Sequence, residues 1–263
     1  MTWPTTPVNT ADMDNGLDSP AAARAAIKDM ADKVNDMIAT PPVTGYPGRL
    51  LAITVYDTAG SFTHTFNTSC TGAIIEGVSG GGGSAYAAAG ASGYDYAPPG
   101  GGGGYAKGWL ASPPATATVE VGAGGLGGTS GSSSGGPGGA TRVIAPGGAF
   151  IMSIGGGAGT TSPGNVPTLD LTLPGGLGGT LISNTFTQLL ESQPGTTPFQ
   201  FIHDGLQNLL PGHSKYSTPN YVAAVNNGFG GGGLGRIRGP GVHSALDGDP
   251  GFRGKVIVYE FGG

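Results

Sequence analysis

Six glycine-dense runs interrupt this chain at 80–83, 100–104, 124–128, 135–139, 175–179 and 230–233. No other feature limits the choice of fold as strongly. Glycine loses more conformational entropy on ordering than any other residue. The chain holds 55 glycines and 21 prolines in 263 residues. That is near the roughly 25–30% at which aperiodic Gly and Pro signal low complexity. Disordered chains, however, are highly charged and poor in apolar residues. Here 10% of residues are charged and 37% are hydrophobic. A flexible linker needs one glycine run, not six set between apolar segments. Collagen needs glycine at every third position, which is absent.

The apolar segments between the runs read as strands: "RLLAITVYD" (49–57), "SFTHTF" (61–66), "TGAIIEGVSG" (71–80), "TATVEVGAG" (116–124), "ATRVIAP" (140–146), "AFIMSIGGG" (149–157) and "GKVIVYEF" (254–261). Their Val, Ile, Thr, Phe and Tyr content suits a pleated, half-buried surface. Ala59 and Gly60 mark a turn between the first two. Strands at this spacing predict an antiparallel, sandwich-like body. The runs then read as packed polyglycine-II segments. That helix has three residues per turn and no internal hydrogen bonds, so its amides must bond to neighbouring helices. Leu126, Pro137 and Leu177 would point out of such a layer. The predicted fold class is mostly β, with one N-terminal α-helix ahead of this body.

Residues 19–40 supply that helix. Ser19 is a suitable N-cap and Pro20 suits the first helical position. Ala23, Ile27, Met30, Val34 and Met37 follow at spacings of 4, 3, 4 and 3, a heptad stripe. Two readings stand: a surface helix lying on its own domain, or a short oligomerisation bundle held together by a larger body. Residues 1–18 form a polar arm with Asp12, Asp14 and Asp18, read as a docking device or a frayed terminus. A linker (41–49) leads to the glycine-rich β domain (50–263).

Charge and cysteine narrow the function classes. The formal net charge is −5, and 11 Lys and Arg are scattered along the chain. Nucleic-acid binding needs clustered cations, so it is not expected. Cys70 is the single cysteine, so no intrachain disulfide is available. The start, "MTWPTTPVNT", has neither basic nor apolar signal-peptide regions. No apolar run of membrane-spanning length occurs.

Catalytic motifs fail on context. "GAGGLG" (122–127) matches a dinucleotide fingerprint, but "GTSGSSSGGPGG" follows and cannot form the helix that motif needs. "GSSSG" (131–135) matches a nucleophile elbow around Ser133, again with no helix after it. His64, His203, His213 and His243 form no ligand pair in sequence. His64 shares a strand face with Phe62 and Phe66, which suits a packed histidine. "DGDPG" (247–251) reads as a turn ahead of a cation site. No catalytic residue, metal or cofactor is expected. A surface-glycan hydrolase with carboxylates distant in sequence stays as a third option.

The order of segments resembles the glycine-rich domain of tailed-bacteriophage tail fibres and receptor-binding proteins. The likeness rests on "GSFTHTFNTSCTGAIIEGVSGGGGSA" (60–85), the burst "PPGGGGGYAKGWL", the strand "VEVGAGGLGGTSG" from Val119, and the closing "GDPGFRGKVIVYEF". It covers about residues 55–263. "VNTADMDNGLDSPAAARAAI" is similar to the attachment end of phage tail proteins. Residues 185–227 depart from the pattern and read as an insertion. The resemblance implies a homotrimer made in the host cytoplasm and placed in the virion tail. It would dock to a tail or baseplate protein through 1–40 and bind a host-surface glycan or outer-membrane protein through its body. The alternative is a structural tail-tip or fibre component that binds another virion protein. Aromatic residues outside the expected strands mark the receptor-binding tip: Tyr94, Tyr96, Phe199, Phe201, His203 and Tyr216. The competing reading is that such rings plug the core or a subunit interface.

Overall fold

The computed structural model describes Asp32 and residues 48–89, 94–161, 165–166, 171–203, 206–210, 212–218, 227–238 and 245–262. Asp32 is helical. The rest of the expected helix at 19–40, with Ala23, Ile27, Met30, Val34 and Met37, lies outside the described residues, as do the arm and most of the linker. Among the described residues no helix is long and apolar enough to cross a membrane.

The body is mostly β, with two antiparallel sheets of five strands. The first contains β1 (Arg49–Tyr56), β3 (Gly72–Val78), β5 (Tyr105–Ala111), β12 (Gln188–Gln193) and β18 (Lys255–Gly262), in the order β1-β18-β3-β5-β12. The second contains β2 (Gly60–Thr65), β6 (Thr116–Val121), β7 (Thr141–Ile144), β8 (Phe150–Ile154) and β11 (Leu181–Asn184), in the order β11-β8-β7-β6-β2. All seven segments expected to be strands are strands. The Ala59–Gly60 turn does not close a hairpin: β1 pairs with β18 and β2 with β6, so the chain crosses between sheets there.

Strand alternation builds one core between the sheets. Ala73, Ile75, Ala106, Val256 and Val258 come from the first sheet; Val119, Val121, Val143, Met152 and Ile154 come from the second. His64 sits at the edge of this core, 3% exposed. Its ring meets Phe66 edge-on at 4.4 Å, and its Nδ1 is 2.9 Å from the Tyr56 hydroxyl. Its Nε2 lies 3.3 Å from Glu260 Oε1. Burial lowers the His64 pKa from its usual 6.5, and the Glu260 carboxylate only partly opposes this. A lowered histidine pKa means that the unfolded chain takes up the proton first. Stability should therefore fall as pH drops through about 6.5. Urea midpoints at pH 7.5 and 5.5 test this, and His64→Gln should shrink the difference.

The glycine runs carry the second half of the architecture. β3 passes directly into 79–87. There the backbone N–H groups go in rotation to three neighbours: Ser79 to Gly104 O (3.0 Å), Gly80 to Gly139 O (3.1 Å), Gly81 to Phe252 O (2.8 Å), then Gly82 to Gly101 O (2.9 Å), Gly83 to Gly136 O (2.9 Å) and Ser84 to Asp249 O (3.0 Å). The same rotation continues through Ala85, Tyr86 and Ala87 to Pro98, Ser133 and Leu246. Each return to a neighbour is three residues on in this run and three back in its partner. The carbonyls of Gly80, Gly81 and Gly82 accept from Gly157, Gly125 and Gly233 of three further runs.

Six runs thus surround 79–87, and bonds close the ring around it. Gly101 N–H bonds Ala158 O, Gly138 bonds Gly157, Gly139 bonds Ala123, Gly251 bonds Gly125, Gly230 bonds Arg253 and Gly100 bonds Gly233. Run 98–104 is the centre of a second ring, completed by 175–179, 195–196 and 212–213 through Gly179 to Gly102, Gly102 to Thr196, Thr196 to His213 and Gly232 to Gly212. Among the described residues only Gly230 of these runs has a positive φ, at 75°. Glycine is needed here for space. A Cβ on Gly82 would lie 2.0 Å from the carbonyl oxygen of Ala158.

Candidate functional site

The connectivity gives the glycine lattice two unlike ends. At one end the runs continue into sheet strands: β3 into 79–87, 98–104 into β5, β6 into 122–128, β8 into 155–160 and 246–254 into β18. In sequence five connections, 88–97, 129–134, 161–174, 198–211 and 236–245, join the runs in pairs, and their described residues lie at the other end.

Short strands organise these connections. β4 (Tyr94–Ala97) lies between β9 (Asn165–Val166) and β17 (Arg236–Arg238). β13 (Phe199–His203) lies between β10 (Leu171–Pro174) and β14 (Leu206–Leu210). β15 (Ser217–Thr218) pairs with β16 (Asn227–Gly228) near the sheet end.

The structure brings five of the six expected tip residues to the distal end. Tyr94 and Tyr96 are in β4, paired with Val166 and Ile237. Phe199, Phe201 and His203 occupy alternate positions of β13. All five are in strands, not in irregular loops. Tyr96 is 1% exposed, and its hydroxyl has no hydrogen-bond partner among the described residues. It is therefore an interior side chain, and burial raises its pKa. Tyr216 departs further: it lies at the sheet end, turned onto β3.

There Tyr216 joins a network around Glu76, a carboxylate only 6% exposed within the otherwise apolar β3. The Tyr105 hydroxyl donates to Glu76 Oε1 at 2.8 Å, and Tyr216 donates to the same oxygen. Lys107 Nζ is 3.5 Å from Oε2. Burial works to raise the Glu76 pKa, but the two phenols and Lys107 outweigh it and hold the carboxyl below its usual value. Burial, then the bond to Glu76, pushes both phenols well above their ordinary range. The network ties the 212–218 segment to the outer face of the first sheet.

At the distal end, Tyr86, Ser130, Leu246, Asp247 and Asp249 line an open cleft of about 570 Å³. The bridges Ala87–Leu246 and Thr129–Ser132 hold its walls. The lining offers an aromatic ring, a hydroxyl and carboxylate acceptors, which is chemistry for binding. Among the described residues no group of three or more His, Cys, Asp or Glu could hold a metal ion. Ser133 is exposed in 129–134, where its carbonyl accepts from Tyr86 N–H.

Several of these features escaped the sequence reading. Runs 155–160, 195–196, 212–213 and 246–254 belong to the lattice, although "DGDPG" reads as a turn and 185–227 as an insertion. The signal at 155–157 was a plain Gly-Gly-Gly after a strand. Within 185–227, β12 is an edge strand of the first sheet, paired with β5. Glu76 had a signal too, as the one charge in "GAIIEGV".

No protein-family model matches this chain, and no curated protein matches it in sequence.

Proposed function

We propose that this chain is a tail-fibre or receptor-binding protein of a tailed bacteriophage. It docks to the tail through residues 1–40 and recognises the host surface through its glycine-rich body, as a homotrimer. The observation that carries this reading is the gathering of five connections at one end of a lattice held chiefly by backbone hydrogen bonds, with a few hydroxyls such as Ser79, Ser84 and Thr160 adding to them. Recognition segments gain most from a rigid scaffold whose core they do not share. The rotation of hydrogen-bond partners every three residues supports a polyglycine-II geometry for the runs, since that helix turns once in three residues. The segment order from 60 to 261 supports the family.

A second reading has its own observation. Leu126 and Leu177, at the centres of the two "GGLGG" runs, are 78% and 70% exposed. They favour a structural fibre or tip component that packs on another virion protein.

Binding of the purified, fluorescently labelled protein to a panel of Gram-negative and Gram-positive strains tests the first reading. The protein should bind at least one strain. Replacing 198–211 with a short Gly-Ser linker should cut that binding at least tenfold and leave the melting temperature within a few degrees. Unchanged binding by the replacement, or no binding to any strain, would remove the receptor reading in favour of the structural one.

A further inference from the structure

The outer face of the first sheet concentrates positive charge. Lys107, Lys215, Arg253 and Lys255, four of the chain's 11 Lys and Arg, stand around the rings of Tyr105, Tyr216, Phe229 and Tyr259. Two of these cations have carboxylates: Lys107 pairs with Glu76 and Lys215 with Glu191. Among the described residues no carboxylate lies within ion-pair distance of Lys255 or Arg253. Lys255 Nζ is 4.8 Å from the centroid of Phe229 and 5.9 Å from that of Tyr216. The Arg253 guanidinium lies 5.6 Å from the same Phe229 ring, and its Nε donates to the carbonyl of Asp57.

Two cations sharing one ring repel each other. Each cation is attracted to the ring face, but the ring is not a counter-charge. Lys255 is half-buried, and a cation withdrawn from water ordinarily has a counter-charge. The chain as a whole carries −5, so this local excess runs against its overall sign.

Further along the same face, beyond Ile257 and the Glu76–Lys107 pair, stand two aromatic side chains. Tyr259, four residues along β18 from Lys255 and so about 13 Å away, pairs with Ile74, which pairs with Trp109. Tyr259 and Trp109 are half-exposed. A cation pair at one end and aromatic rings at the other, with the Glu76 carboxylate between them buried and already paired, is chemistry that can hold an acidic oligosaccharide. An anion held by the ammonium and the guanidinium would leave the attached sugars to lie along the face toward Tyr259 and Trp109.

We infer that Lys255 and Arg253 form the anion subsite of a binding face for a phosphate- or carboxylate-bearing saccharide. This deepens the receptor-binding reading and rests on it. The phosphate and the carboxylate share one recognition chemistry, and the probes below separate them.

NMR titration of the full chain with glucose 6-phosphate, glucuronate and glucose tests the subsite. At least one of the two anionic sugars should bind tenfold or more tightly than glucose, and weaken as salt rises. The stronger of the two identifies the anion. Lys255→Gln with Arg253→Gln should reduce that binding at least tenfold at an unchanged melting temperature. Lys255→Gln alone provides the same test should the pair destabilise the chain. Equal binding of glucose, equal binding by the variants, or no binding of either anionic sugar would overturn the inference. So would tenfold tighter binding of a hexaglutamate peptide, which would make the face a protein-docking surface. The cell-binding assay separates the two proposals. Sugar-phosphate binding by a protein that binds no strain removes the receptor reading and leaves the anion subsite. Cell binding without anionic-sugar binding does the reverse.

Discussion

Gly82→Ala is expected to cost at least about 3 kcal/mol, or roughly 6–12 °C in melting temperature for a chain of this size. The added methyl would stand 2.0 Å from the Ala158 carbonyl oxygen and 2.4 Å from its carbon. Both atoms belong to backbone, so no rotamer change relieves the contact. Run 155–160 would have to move, and Gly101→Ala158 and Gly157→Gly80 hydrogen bonds would stretch with it. Each buried amide left without its partner adds about 1–3 kcal/mol. Gly131→Ala is the matched control. Nothing lies within 4 Å of a Cβ there, and Gly131 is exposed. It should shift stability by less than about 0.5 kcal/mol. Thermal unfolding followed by circular dichroism reads both, and equal melting temperatures would refute the close-packed lattice.

Glu76→Ala is expected to be comparably damaging, at about 3–5 kcal/mol, the usual cost of breaking a buried charged pair by removing one partner. The truncation leaves the Tyr105 and Tyr216 hydroxyls without their acceptor and Lys107 without its carboxylate. Tyr216→Phe removes a single donor and should cost about 1–2 kcal/mol. The effect depends on pH with a definite sign. The folded-state pKa of Glu76 is depressed, so its contribution is fully present above the usual value of 4.5. It is lost as pH falls through the lower, folded value. Chemical denaturation at pH 7 and pH 3.5 should show the gap between wild type and Glu76→Ala narrowing in acid. A gap that stays constant would mean the carboxylate is not the stabilising form.

Local pattern made the main strands legible. Alternation in "SFTHTF" and the β-branched run in "KVIVYEF" depend only on neighbours, and both segments are strands. β5 was hidden because Lys107 and Gly108 break its apolar pattern. Its place between β3 and β12 comes from pairing with distant segments. Strand order was out of reach for the same reason: Arg49 meets Gly262, almost the full chain away. For the glycine runs, composition showed the densest six. It could not show that "GTT" at 195–197 or "DPGFR" at 249–253 would enter the lattice, because a run needs only small residues where its neighbours press. The aromatic residues Tyr94, Phe199, Phe201 and His203 fall at one end because the runs alternate in direction, which no single segment records. Tyr216 could not be told from them without knowing that Glu76 faces it.

The lattice has a thermal consequence. Melting an ordinary core exposes hydrocarbon, which raises heat capacity by about 0.45 cal/K/mol per Å². Melting packed glycine runs exposes chiefly amide surface, which lowers it by about 0.26 cal/K/mol per Å². The two halves of this fold therefore pull the heat capacity of unfolding in opposite directions. Calorimetry should find it well below the roughly 12–15 cal/K/mol per residue of ordinary globular chains. The curve of free energy against temperature is correspondingly broad, so the cold and the warm ends of its working range hold the scaffold almost equally well.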